Sequence, residues 1–265
     1  MSSIRLPNTR QPVNWQHKLN KNLELWWNPL PQWGKQSIAR DLTGRQLVGS
    51  GTTSGASPLP TAWGNSTGPY RAGSFNGGST VNFGQGLNSL TTDFTISLWH
   101  RPEGTLANFR NLISKGSTGM QFGIITSAAG LISVQVSPTS DLSMGSIALN
   151  TVYHICYKIT GGTCSSFIRS EAGVLQTASA ARTTATVAAN FHIGGDITNS
   201  RYALGKLWNV QVFSRALSDD EIADLYYEGK AGLPNTLNYV TPLTMMMNAQ
   251  NSGGARRRRI LTGGR

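Results

Sequence analysis

Short apolar runs alternate with clusters of Gly, Asn, Ser and Thr along most of this chain. Within the runs, apolar and polar side chains alternate with a period of two, which is the spacing of strands that bury one face. The predicted strands are residues 79–83, 94–102, 110–116, 120–126, 131–137, 150–160, 165–170, 190–195 and 203–215. Strands so regularly spaced, without long helices between them, predict an all-β antiparallel sandwich rather than an α/β fold.

The run FTISLWHRP, residues 94–102, has apolar side chains on both faces of the predicted strand. One face carries Phe94, Ile96 and Leu98, and the other carries Thr95, Ser97 and Trp99. Because a tryptophan buries a large area, this second face is expected to be covered or to face a ligand.

A helical pattern replaces the strands in SRALSDDEIADLYYEGKAG, residues 214–232, where acidic residues are densest. Ser218 and Glu221 form a capping box that predicts a helix start, and Gly229 offers a C-terminal stop. The apolar face consists of Ile222, Leu225 and Tyr226. Clustered carboxylates also occur in glycosidases and cation sites. Here the helix dipole favours acids in the first turn, so helix capping accounts for these carboxylates without a catalytic or cation-binding role.

These motifs, in this order, resemble the laminin-G-like, concanavalin-A-like jelly rolls. The resemblance rests on FTISLWHRP, NLISKG, NTVYHICYKITGG, FHIGGD and ALGKLWNVQVFSRALSDDEIADLYYEGKAG, and covers roughly residues 23–233. It implies a jelly-roll sandwich of two curved antiparallel sheets, sometimes with calcium at the rim, that serves in glycan or protein binding.

Composition divides the chain into a basic N-terminal arm at 1–22, the sandwich with one short C-terminal helix at 23–234, and a basic tail at 235–265. The arm, RQPVNWQHKLNKNLELWWNPL, resembles the start of bacteriophage virion proteins that carry such a domain. No stretch resembles a signal peptide or is long enough to span a bilayer, so synthesis in a host cytoplasm is expected.

Most of the net charge of +11 lies at the two ends of the chain. A basic segment is attracted to an acidic partner, such as an assembled virion shell. The candidate partner-binding residues are Arg5, Arg10, Lys18, Arg256, Arg257, Arg258 and Arg259. Nucleic acid fits less well, because no aromatic residues interleave with the arginines and no basic stripe crosses the sandwich. A solvated tail is the plain alternative.

Catalytic signatures are missing from the sequence. Glycosidases of this fold carry paired glutamates in an E-x-D-x-x-E kind of spacing, whereas Glu24, Glu103 and Glu171 each stand alone. The four histidines lack metal-ligand spacing with each other or with the cysteines. A non-enzymatic protein is therefore predicted, with a glycoside hydrolase as a minor alternative should separated acids converge.

Two hypotheses about ligand sites are compatible with the sequence, one for calcium and one for glycans. Asp196 and Asn199 form a possible weak calcium pair, or simply an Asx turn, and no other cofactor is expected. Glycans are bound by exposed aromatic rings, although tryptophans in sandwiches are more often core. The possible glycan-facing residues are Trp33, Trp63, Tyr70, Trp99 and Tyr202.

Cys156 and Cys164 flank a predicted turn at residues 160–163. A tight hairpin there would place Cys164 opposite Ile159 and Cys156 opposite Phe167, too far apart for a disulfide. Two free thiols in or near the core are expected.

The sequence as a whole predicts a non-enzymatic bacteriophage virion structural protein, either a capsid decoration protein, a head fibre or a similar accessory subunit. Its arms would bind capsid or other virion proteins, and homo-oligomers are expected because exposed strand edges favour pairing. The alternative is a lectin-like module that adsorbs to host surface glycans.

Overall fold

A computed structural model of the chain describes residues 18–27, 38–40, 43, 48–53, 73–88, 90, 92–106, 110–116, 122–126, 130–136, 142–182, 188–196 and 200–230. The strands are β1 (Leu23–Trp27), β2 (Ile38–Arg40), β3 (Val48–Thr53), β4 (Gly73–Asn76), β5 (Ser79–Asn82), β6 (Phe94–Pro102), β7 (Arg110–Lys115), β8 (Phe122–Thr126), β9 (Leu131–Val136), β10 (Leu142–Ser146), β11 (Tyr153–Thr160), β12 (Thr163–Ser170), β13 (Leu175–Ala181), β14 (Phe191–Ile193), β15 (Gly195–Asp196), β16 (Arg201–Tyr202) and β17 (Leu204–Phe213). A short 3-10 helix (Lys18–Asn20) precedes β1, and helix α1 (Asp219–Lys230) follows β17.

The strands form two sheets that face each other. The first sheet, in the order β1-β17-β6-β11-β12-β13, also pairs β4 with β17. The second sheet has the order β10-β9-β8-β7-β14-β5-β3-β2, and the β15–β16 hairpin attaches to β7. Pairing is antiparallel except for the single β16–β7 bridge. The predicted all-β jelly-roll sandwich with one short helix is confirmed.

The main hydrophobic core lies between the two sheets. Phe94, Ile96 and Leu98 of β6 point into it, as the alternation predicted. The ring of Phe94 lies 5.0 Å from that of Phe122 in the second sheet and 5.9 Å from that of Tyr157. Because aromatic rings bury large areas and interlock at these distances, this cluster joins the two sheets.

Helix α1 covers part of the outer face of the first sheet and creates a smaller core there. Its apolar residues Ile222 and Leu225 pack with residues of β1, β11 and β17. Tyr226 packs with Trp99 and Trp208. The 3-10 helix also joins this core, because Leu19 is fully buried in it. The folded domain therefore includes residues that the sequence analysis placed in the N-terminal arm.

The β11–β12 hairpin has the predicted register. Cys156 pairs with Phe167 and Ile159 pairs with Cys164. Both cysteines are buried free thiols, as expected. Burial raises the pKa of Cys164 to about 12 and that of Cys156 further still, so neither forms a thiolate at neutral pH.

The edge strands β10 and β13 are among those that were not predicted. They meet on one side of the sandwich, where the Gln176 side chain accepts a hydrogen bond from the Ser146 N–H (3.0 Å) and donates one to the Ser146 carbonyl (2.9 Å). Gly145 (φ +138°) makes room for this contact, because a Cβ there would lie 2.4 Å from the Gln176 side chain. This bridge links the two sheets at their edges.

Candidate functional site

The acidic run forms helix α1, and the predicted capping box is confirmed. The Ser218 hydroxyl accepts a hydrogen bond from the Glu221 N–H at 3.2 Å. The Glu221 carboxylate accepts one from the Ser218 N–H at 2.9 Å. The predicted stop was wrong, because α1 continues through Gly229 to Lys230. The lack of a side chain at Gly229 serves packing instead: a Cβ there would lie 2.3 Å from Nε1 of Trp99.

Most acids of α1 bind basic side chains of the same domain. Both oxygens of Glu221 accept hydrogen bonds from Arg215 at 2.8 Å, and this contact lowers the pKa of Glu221. Asp219 accepts one from Lys158 at 2.5 Å. These ion pairs attach α1 to the sheet beneath it, which is a structural role.

Lys18, predicted to bind a partner through a free arm, binds its own domain instead. Its ammonium group donates a hydrogen bond to Asp224 of α1. Its carbonyl accepts a hydrogen bond from Arg215 at 2.8 Å. Lys18 therefore belongs to the folded domain and not to a free arm, because Leu19 beside it is buried and fixes this part of the chain against the helix.

Glu228 is the acid of α1 with the most altered acidity. Burial, together with the charge of Asp224, raises its pKa to about 7. Glycoside hydrolysis requires a second carboxylate that can act with the first. Asp224, one turn away, binds Lys18. Within the described part of the chain, α1 therefore lacks the carboxylate pair of a glycosidase.

Trp99 was wrongly predicted to face glycans, because α1 covers it completely. Its ring stacks between those of Trp208 (6.0 Å, 20°) and Tyr226 (5.6 Å, 14°) and is 0% exposed. The alternative reading, a covered second surface, is confirmed.

A Ser–His contact lies under the same helix. The Ser97 hydroxyl and Nε2 of His154 are 2.8 Å apart. Burial, and then the nearby Arg169, lowers the pKa of His154 to about 3, so the imidazole is neutral. A serine and a neutral histidine can act as nucleophile and base. Both are only 1% exposed, so α1 closes them off from substrate and the contact ties β6 to β11.

The predicted rim residues are not brought together as an open site. Tyr202 is buried, because its ring lies over Gly195 in the β15–β16 hairpin and a Cβ at that glycine would be 2.8 Å away. The prediction of Tyr202 as glycan-facing was therefore wrong. The Asp196 backbone pairs with Arg201. Among the described residues no group of His, Cys, Asp and Glu is arranged to hold a metal ion.

Several predicted residues lie outside the described part of the chain. They are Arg5, Arg10, Trp33, Trp63, Tyr70, Asn199, Arg256, Arg257, Arg258 and Arg259.

A shallow cleft of about 220 Å³, including its open mouth, lies at one end of the sandwich between the sheets. In its lining, Glu103 binds Arg101 (3.1 Å) and Lys206 (3.3 Å), and the Arg110 guanidinium donates a hydrogen bond to the Tyr202 carbonyl at 3.1 Å. His100, also in its lining, is buried, and burial lowers its pKa to about 4. The cleft therefore offers a neutral imidazole, an ion-paired carboxylate and the guanidinium of Arg110.

The exposed side chains that sequence reasoning missed lie beside the covered ones. Tyr227 is 62% exposed, and the guanidinium of Arg169 lies 5.8 Å from its ring. Arg169 pairs across the ladder with Leu175, and Val174 precedes it in the turn. We call Arg169, Val174, Leu175 and Tyr227 the flank patch. The helical spacing could have predicted that Tyr227 is exposed, because it falls outside the apolar face that includes Tyr226.

The described part of the chain contains no helix long and apolar enough to cross a bilayer.

The chain belongs to the concanavalin A-like lectin/glucanase superfamily, whose Laminin_G_3 family model matches residues 72–223. A search of curated proteins found no match. Among solved structures, the chain is similar to Trypanosoma rangeli sialidase (14% identity, TM-score 0.59), covering 82% of this chain and 34% of the sialidase. It therefore spans about a third of that enzyme.

Two further similar structures are single domains of larger proteins. One is the binding domain of Paraclostridial Mosquitocidal Protein 1 (15% identity, TM-score 0.59; 79% of this chain, 52% of that one). The other is domain 4 of AbnA, an extracellular arabinanase from Geobacillus stearothermophilus, in complex with arabinotriose (17% identity, TM-score 0.53; 77% of this chain, 98% of that one). At these identities the likeness establishes the fold.

Proposed function

We propose that this protein is a non-enzymatic structural component of a bacteriophage virion, such as a capsid decoration protein or head fibre. In this proposal the basic terminal segments attach the chain to the particle, and the lectin-like sandwich is displayed outward.

The observation that carries this proposal is that both terminal segments continue from one surface of the domain. Lys18, the first described residue, binds Asp224 of α1, and Lys230 is the last residue of the same helix. Asp224 and Lys230 are about 9 Å apart along a helix axis. Residues 1–17 and 231–265 contain seven arginines and no acid. The described chain therefore begins and ends at α1, which supports attachment through both basic segments from one side of the sandwich.

A non-enzymatic role is supported by the hydrogen bonds and ion pairs that the carboxylates make. Glu24 accepts a hydrogen bond from Ser214 (2.6 Å), and Asp93 accepts one from the Gly161 N–H (3.0 Å). Glu103 and Glu221 are ion-paired, as described above. Each of these acids has a structural partner, whereas a glycosidase keeps two carboxylates directed at one bond.

Mass spectrometry of density-purified phage particles from the source culture tests the proposal first. We expect the chain in the particle fraction at a constant ratio to the major capsid protein. Its absence from washed particles would overturn the virion assignment.

Binding variants then test the attachment mechanism. Arg256→Gln, Arg257→Gln and Arg258→Gln together should weaken co-sedimentation with particles and reduce its salt sensitivity, because fewer charges engage the acidic shell. The matched control, Lys21→Gln, Arg182→Gln and Arg201→Gln, removes the same charge from the described domain and should bind nearly as wild type. Equal loss in both variants would indicate attraction by net charge alone.

Adsorption to host glycans is the second candidate. It is supported by the similar arabinanase domain in complex with arabinotriose, and by the exposed Tyr227, whose ring could stack on a sugar. A glycan array, read with calcium and with a chelator, tests it. A sub-millimolar sugar ligand that is lost in Tyr227→Ala but kept in Tyr153→Phe would favour this candidate, and no binding to any glycan would reject it.

A further inference from the structure

Strand β13 ends the first sheet and, among the described residues, pairs only with β12. At one end of the strand, the Val174 carbonyl accepts a hydrogen bond from the Ser170 N–H at 2.9 Å. At the other end, the Arg182 N–H donates one to the Gly162 carbonyl at 2.7 Å. Because alternate residues of an antiparallel strand direct their backbone groups to the same side, the even-numbered residues bond to β12. The odd-numbered residues direct their N–H and C=O groups to the open edge, and they are Leu175, Thr177, Ser179 and Ala181.

Among the described strands, β13 is an outermost strand that is both long and regular. Its seven residues pair with β12 without a bulge. The outermost strands elsewhere are interrupted or short, because β1 and β10 each contain a register shift and β2 has three residues. Proteins protect exposed edges with bulges, prolines or charged side chains. The sequence of β13, LQTASAA, has none of these, which indicates that its edge is paired in the native protein.

Exposed apolar side chains lie beside this edge. Val174 and Leu175, at the start of β13, are 63% and 43% exposed. Leu131 of the second sheet is 42% exposed and pairs with Ser146, which is bridged to Gln176 of β13. An open strand edge with apolar neighbours is a surface that proteins cover with a partner.

The edge of β13 is complementary to a second copy of itself. Within the strand no side chain carries a charge, so two copies do not repel each other along it. The charges stand at its two ends, with Glu171 in the turn before the strand and Arg182 directly after it. Antiparallel pairing of two identical strands brings the basic end of each copy to the acidic end of the other, which is favourable. Such a contact is isologous and closes on itself, as in a twofold dimer.

We propose that two copies of the chain pair through the open edges of their β13 strands. The strands run antiparallel about a twofold axis at Ala178. In this register Leu175 bonds to Ala181 of the partner subunit, and Thr177 bonds to Ser179 of the partner subunit. All the odd-numbered residues of β13 then have backbone partners, and the first sheet continues from one copy into the other. The pairing does not depend on the virion assignment.

Amide exchange followed by NMR on the full chain tests the proposal, because it distinguishes alternate residues of one strand. The test variant, Thr177→Lys and Ser179→Lys together, places like charges directly opposite each other across the pair. We expect the odd-numbered N–H groups of β13 to exchange at least about tenfold faster in this variant than in wild type. The even-numbered N–H groups should stay protected by β12 in both proteins, which shows that the variant is folded.

Sedimentation of the same proteins identifies the occupant of the edge. The matched control, Thr92→Lys and Thr160→Lys, adds the same charge at exposed residues outside β13. We expect a dimer for wild type and the control, and a monomer for the test variant. A wild-type monomer would overturn the proposal, whether its odd-numbered N–H groups exchange rapidly or are protected by another occupant. A dimer that persists unchanged in the test variant would also overturn it, because its interface would lie elsewhere.

A disulfide at the twofold axis tests the register. Ala178 lies opposite its own copy at a position without backbone bonds between the two strands, where Cα atoms are about 4.5 Å apart, within disulfide range. Ala178→Cys should therefore form a covalent dimer under mild oxidation, whereas Thr160→Cys, at an exposed residue outside β13, should not. The native Cys156 and Cys164 are buried and do not compete. A yield from Ala178→Cys no higher than that of the control would overturn the proposed pairing.

Discussion

Strands β6 and β13 belong to the same sheet but have opposite environments. Every residue of β6 except Arg101 is buried, whereas residues of β13 alternate between exposed and half-buried. The difference comes from the width of the helix above them. A helix is about 10–12 Å across and strands lie about 4.8 Å apart, so one helix covers two or three strands. Helix α1 covers the centre of the sheet and leaves the outer face of β13 exposed.

The largest effect on stability is expected from the part of the first sheet that α1 covers. Trp99→Ala removes the middle ring of the Trp208–Trp99–Tyr226 stack and should lower the free energy of unfolding by about 3–5 kcal/mol, since α1 cannot close over the cavity. Urea unfolding followed by far-UV circular dichroism measures it. Val174→Ala on the exposed flank is the control, with a change within about 0.5 kcal/mol. Similar losses in both would remove the contrast between the two regions.

The second-largest effect is expected from acid, which should lower the free energy of unfolding through His154 beneath α1. Burial and Arg169 hold the pKa of His154 at about 3, whereas the unfolded chain protonates this residue near 6.5. The unfolded state therefore binds the extra proton between these values, and stability falls as the pH drops. The loss attributable to His154 is about 2 kcal/mol at pH 5 relative to pH 7.

His154→Gln should remove this part of the acid dependence, measured as the difference in unfolding free energy between pH 7 and pH 5. The dependence due to His100, whose pKa burial lowers to about 4, remains in the variant. Glu228, whose pKa is raised to about 7, acts in the opposite direction in both proteins. An unchanged acid dependence in the variant would contradict the role of His154.

A smaller effect is expected at the start of α1. Ser218→Ala leaves the Glu221 N–H without its side-chain partner and should cost about 1 kcal/mol. Ser218→Asp restores an acceptor and should recover most of this loss. Thermal unfolding of the three proteins provides the comparison, and equal midpoints would show that the ion pairs alone hold the helix.

The smallest stability effect is expected on the flank patch. Tyr227→Ala should change the free energy of unfolding by less than about 0.5 kcal/mol, because the side chain is largely exposed. Tyr226→Ala, one position earlier, removes a ring that is 2% exposed and should cost several times more. Comparable losses for the two tyrosines would mean that the patch is covered.

Strands were predicted correctly where one buried face gives an alternation of apolar and polar residues, and they were missed where little is buried. The strand 94–102 was predicted to the residue, because its apolar alternation reflects the core. Strand β13 was missed, because LQTASAA has small and polar side chains at an edge that buries little. Trp99 and Tyr202 were named as possible glycan-facing residues by residue type, and only the packing of α1 and of the β15–β16 hairpin shows that they are covered.

The position of Lys18 beside α1 has a consequence for how the domain can be built into other chains. Its two ends lie on one surface, so a short linker from residue 230 back to residue 18 would close the backbone into a circle. The exposed Gly161–Gly162 turn between β11 and β12 then offers a place to open it again, because exposed turns of small residues tolerate new termini. For the same reason the domain has the geometry of a cassette that fits into a surface loop of a larger protein without separating the ends of that loop.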